Sequence, residues 1–178
     1  MNSRAFARFA AAAVAVATAS GSAVAAGNGN SSGNGNAFGR SPAPLEGSWE
    51  VTIRPHDCVT GVEAPAQFWN FSYLTFSSGG TMFEMTSNPR FQPGQRSPGY
   101  GYWERTGVNT YDAVFQAFIL FTTDPPNPSF TRGSQRFEQT IELTDADHWQ
   151  SAWEVTFRDV DGNPVSHGCA SASASRMP

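Results

Sequence analysis

Between Gly47 and Arg176 the chain runs through eight successive stretches of alternating apolar and polar residues, with no interval of helical periodicity between them. Successive side chains of a strand point to opposite faces, so period-two alternation marks a sheet that buries one face. Eight such runs at short spacing predict an all-β antiparallel meander.

The first run, 47–54, places Trp49, Val51 and Ile53 on one face and Glu50, Thr52 and Arg54 on the other. The second, 68–76, is rich in aromatics and turns through Ser77-Ser78-Gly79-Gly80 into the third, 81–86, as a hairpin. A Pro- and Gly-punctuated loop, 87–98, precedes the fourth run, 99–105, and the fifth, 110–121. The fifth aligns Tyr111, Ala113, Phe115, Ala117, Ile119 and Phe121, enough to cross a whole barrel. Residues 122–131 hold Pro125, Pro126 and Pro128 and cannot join a ladder. Runs six to eight cover 137–144, 149–159 and 165–176.

Cys58 follows the first run and Cys169 lies within the last, and there are no other cysteines. Two sulfurs can bond only when their Cα atoms come within about 7 Å, so pairing them brings the ends of the meander together. Closure into a barrel does this; a disulfide across a two-sheet sandwich and two free thiols are the other readings. A bridge closing so long a loop contributes roughly 4–5 kcal/mol by chain entropy.

Upstream, Arg4 and Arg8, the apolar stretch 9–17 and Ala23-Val24-Ala25 have the three parts of a secretory signal, so residues 1–26 are expected to be removed on export. Residues 27–44 are Gly, Asn, Ser and Pro with little to bury and read as a disordered linker. The barrel domain is then 45–178. No stretch approaches the roughly 20 apolar residues of a membrane helix. All eleven basic residues are Arg, and without Arg4 and Arg8 the formal charge passes from -4 to -6. Total absence of Lys, with abundant Ala and Gly, matches the codon usage of a GC-rich bacterial genome. Scattered arginines on an acidic chain argue against nucleic acid or an anionic membrane as partner.

Gly47-Ser48-Trp49 opening the first strand, the eight runs in meander order and Arg176 closing the last together resemble the calycin barrels, the superfamily of lipocalins, fatty-acid-binding proteins and avidins. That resemblance implies an eight-stranded up-and-down barrel, a structural contact between Trp49 and Arg176, and a small ligand inside. The second and third lipocalin motifs and the helix after the barrel have no counterpart here. The second Gly-x-Trp, Gly101-Tyr102-Trp103, looks more like avidins or small bacterial lipocalin-like proteins.

If the interior holds a guest, Phe76, Trp103, Tyr111, Phe115 and Trp153 are the aromatics that alternation could aim at it, and they serve equally to fill a closed core. Glu104, Glu138, Glu142 and Glu154 read as outer-wall residues; Glu84, which could be one too, is kept as a candidate ligand-binding residue, because Phe83 and Met85 could be the outward pair. His56-Asp57 and Asp145-Ala146-Asp147-His148 fall in turns, where Asp is common for backbone reasons. Asp159-Val160-Asp161-Gly162-Asn163 lacks the downstream Glu of a calcium loop and reads as a hairpin turn. No catalytic motif, metal site or cofactor is expected. The function expected is binding of a small, mostly apolar ligand in the barrel under the 87–98 loop. The alternative is a surface module with a filled core that binds glycan or protein through Phe68, Trp69, Phe71 and Tyr73, its protein partners unknown.

Overall fold

In the computed structural model, which describes residues 44–123 and 130–178, the chain is a closed eight-stranded antiparallel barrel, each strand paired with its neighbours in sequence and the last with the first. The strands are β1 (Gly47–His56), β2 (Asn70–Phe76), β3 (Thr81–Ser87), β4 (Gly99–Arg105), β5 (Thr110–Ile119), β6 (Gly133–Leu143), β7 (His148–Arg158) and β8 (Pro164–Arg176). The expected signal segment and all but the last residue of the expected linker lie outside the described residues. No helix among the described residues is long and apolar enough to cross a membrane.

Closure is made by β1 and β8, whose register runs from Trp49 opposite Arg176 to His56 opposite Cys169. This ladder carries β1 two residues past its alternating stretch, through Pro55 and His56. Cys58 and Cys169 are joined just beyond it, their Cα atoms 5.2 Å apart. The expected start of β2 at Phe68 is corrected: residues Ala66–Phe68 form a single 3-10 turn and the strand begins at Asn70. Strand β6 begins earlier than alternation suggested, at Gly133, whose φ of +154° and 1.9 Å approach of a hypothetical Cβ to Arg158 O admit only glycine there.

The inward residues fall into two unlike halves of the interior. Towards one end, Trp49, Phe76, Trp103, Tyr111, Leu143 and Trp149 are buried and meet edge to face, Trp49 with Trp149 and Phe76 with Trp103 at centroid separations of 6.2 and 6.0 Å. Arg176 closes this end. Its Cζ sits 4.1 Å from the Trp49 ring centroid, while its guanidinium donates to the carbonyls of Pro44, Glu46 and Ala146. A planar cation that both stacks on an indole and fills carbonyl acceptors seals the end without leaving a buried charge unpaired.

Room for these rings comes from small residues opposite them. Ala172 and Ala174 face inward from β8, and a Cβ on Gly101 of β4 would lie 1.9 Å from Val114 O. Replacing Gly101 by Ala must push β4 off β5. G101A is therefore expected to lose about 1–3 kcal/mol of stability, read from the shift in urea midpoint against the unaltered protein.

Candidate functional site

At the end away from Trp49 the interior is hollow. A cavity of about 320 Å³ opens there between the ends of β1, β2, β3, β6, β7 and β8 and the 88–98 loop. Its size falls at the small end of the roughly 300–1,000 Å³ typical of ligand pockets. One wall is aromatic and aliphatic: Phe130, Phe137, Trp153, Val155, Phe157 and Ile53. Phe137 stacks at 4.6 Å on Phe115 beneath it and meets Trp153 edge to face, so this wall is backed by packed rings and held in place.

Polar groups share this end with the rings, Arg96 lying 5.5 Å over Phe137, and their centre is an ion pair. Alternation on β3 turns Met82, Glu84 and Thr86 inward, which leaves the Glu84 carboxylate fully buried. A buried carboxylate costs several kcal/mol unless a cation meets it. Arg96, from the 88–98 loop, supplies that cation, with Nη2 2.9 Å from Glu84 Oε2 and the two side chains 6% and 0% exposed. Its Nε donates to Gln135 Oε1 at 2.6 Å and its Nη1 to Ser97 O at 3.2 Å, and Thr86 Oγ1 lies against Glu84 Oε1.

The loop that delivers Arg96 is pinned by its neighbour. Gln95 is fully buried and donates from Nε2 to Phe121 O at 3.1 Å and Phe130 O at 3.5 Å, while its Oε1 accepts from Gln92 N. The backbone N–H of Leu120 donates to Gln95 O at 2.7 Å. These bonds tie the loop to the end of β5 and to the segment around Phe130.

Of the aromatics named from sequence, Trp153 lines the cavity. Phe115 lies one layer deeper, and Phe76, Trp103 and Tyr111 belong to the packed half, where Trp103 Nε1 is within hydrogen-bonding distance of Ser77 O and Thr81 O at 3.2 and 3.1 Å. Glu84, the one carboxylate named as a candidate to meet a guest, does face inward, but it lies beneath Arg96 and off the cavity wall. Glu104, Glu138, Glu142 and Glu154 are exposed as expected. Arg96, Gln95 and Gln135 were not singled out from sequence. The one available signal was Glu84 itself, because an inward carboxylate demands a cation and only tertiary structure says which.

The remaining polar clusters lie elsewhere. His148 Nδ1 is 2.9 Å from Asp145 Oδ1, but both are exposed on the β6–β7 turn at the end opposite the cavity. The Asp145 carboxyl is held below its ordinary value by the Asp147 backbone N–H and then by His148. Asp159 accepts from Asp161 N and Asn163 N in the β7–β8 turn. Cys58, His167 and Cys169 approach one another at the cavity rim, with ligand atoms within 4.8 Å, yet both sulfurs are consumed by the disulfide and cannot ligate as thiolates.

Compared with known protein families the chain matches none, and no curated protein is significantly similar to it.

Removing one partner of the ion pair leaves the other charge stranded. R96M is expected to cost about 3–5 kcal/mol, and the double variant E84L/R96M to recover most of that loss; chemical denaturation of the three proteins measures both. In the turn after β1, the Asp57 carboxyl is lowered chiefly by the Thr60 backbone N–H, then by the Thr60 hydroxyl and the Val59 N–H. Because the folded value is the depressed one, its stabilisation is complete above the unfolded value of about 3.9 and fades as pH falls through the lower folded value. An NMR titration should therefore find Asp57 titrating below the ordinary aspartate range, with D57N abolishing the corresponding acid-side loosening of the 57–60 turn.

Proposed function

We propose that this chain is an exported barrel that binds a small, mostly apolar molecule in the cavity at its open end. The observation that carries the reading is the contrast between the two halves of the interior: one filled by interlocked rings, the other hollow and walled by Phe130, Phe137, Trp153, Val155 and Phe157. A concave apolar wall facing a few fixed polar groups is what a small-molecule site requires. Resemblance to the calycin barrels supports the same reading. The disulfide favours an oxidising compartment, as the secretory-type N-terminus does.

A second reading rests on the outer wall. Phe68, Phe71 and Tyr73 are exposed, and a groove across β8, β1, β2 and β3 runs beside Phe71, Tyr73 and Met85 over Glu50, Thr52, Ser173 and Ser175. Exposed rings beside hydroxyls and a carboxylate suit a glycan or protein surface. Trp69 takes less part, being half-buried, with Arg54 4.9 Å over its ring.

Ala170 lines the cavity from β8, so A170W should fill it with an indole. Native mass spectrometry of the protein purified from its source should show a bound small molecule that A170W lacks, with the fold retained by circular dichroism. Protein that carries no guest, and whose intrinsic tryptophan fluorescence is unmoved by any apolar aromatic compound, would leave the outer-wall reading in its place.

A further inference from the structure

The polar side of the cavity specifies the chemistry of the guest, given that the cavity is a guest site. We propose that the guest is a neutral aromatic compound bearing a carbonyl oxygen, which it turns towards Arg96 and Gln135.

A guanidinium has five N–H donors. Four of those of Arg96 are spent: Nε on Gln135 Oε1, Nη1 on Glu84 Oε1 and Ser97 O, and Nη2 on Glu84 Oε2. One N–H of Nη2 is left. Gln135 lines the same cavity, is 2% exposed, and has its Oε1 fixed by Arg96 at 2.6 Å, which orients the amide and leaves both hydrogens of Nε2 without an acceptor among the described residues. Two neighbouring side chains in the lining of the cavity thus hold unspent donors. A guest oxygen that accepts from both completes them.

Charge decides which oxygen. Glu84 already neutralises Arg96, and no Asp or Glu is among the residues that line the cavity. A carboxylate guest would have to shed its water for a guanidinium whose charge is taken, at a cost that its hydrogen bonds do not return. Arg90, over the Phe130 ring at the rim, is exposed, and water screens it. A ketone or other neutral carbonyl has the same acceptor geometry at a small desolvation cost. Beside these donors, with Arg96 5.5 Å over the Phe137 ring, Phe137 and Trp153 stand edge to face and offer apolar surface to a planar body.

Three compounds of one size separate the possibilities: 2-acetylnaphthalene, 2-isopropylnaphthalene and 2-naphthoate, titrated into the full-length protein and followed by tryptophan fluorescence. The ketone is expected to bind about tenfold more tightly than the hydrocarbon and about tenfold or more above the carboxylate. In Q135L, shown folded by near-ultraviolet circular dichroism, the ketone should lose part of its advantage over the hydrocarbon, whose affinity stays unchanged, because the Arg96 donor remains. Equal binding of ketone and hydrocarbon would overturn the proposal while leaving the cavity a guest site, and so would preference for the carboxylate. Failure of all three compounds would overturn it together with the guest-site reading. The series on the unaltered protein decides the matter even if Q135L does not fold.

Discussion

Everything else in this barrel depends on the ladder between β1 and β8. Without it the meander would present two open edges, and the inward faces of eight strands would lie on one exposed sheet. With it, each inward residue faces others across a lumen, and alternation in sequence becomes layering in space. Fastenings of different chemistry hold the two ends of that ladder. At one, Arg176 lies over Trp49 and fills backbone carbonyls; at the other, the Cys58–Cys169 bridge ties the chain beyond β1 to β8.

The same ladder makes the interior asymmetric. Strand β8 carries alanine or glycine at each inward position from Gly168 to Ala174, so it closes the wall and fills little of the lumen. At the Trp49 end the opposing strands supply enough ring volume to compensate. At the other end Asn70, Thr86 and Gln135, smaller and polar, stand among the rings of Phe137, Trp153 and Phe157, and the space persists.

Most of the architecture could be read from the chain, because alternation, turn residues and two cysteines are local signals with one mutually consistent solution. Trp153 was legible as inward-facing, and Glu84 as the carboxylate worth watching, for the same reason. What could not be read was which layer an inward residue occupies: Phe76, Trp103 and Tyr111 share the inward pattern of Trp153 yet lie in the packed half. Layer depends on strand stagger around the barrel, which no single strand records. Arg96 and Gln95 were hidden differently. They sit in a loop with neither periodicity nor flanking apolar residues, and their roles arise only because the loop folds back onto β5 and over β3.

The buried ion pair has a consequence for the medium in which the protein works. Mobile ions screen charges they can surround, with a reach of about 8–10 Å at moderate salt, and they screen buried pairs far less. Glu84 and Arg96 are almost wholly enclosed, so the dipole they place beside the cavity keeps its strength whether the surroundings are dilute or saline. The polarity of the lumen is thus a fixed property of the fold, insulated from the variable composition of the fluid outside.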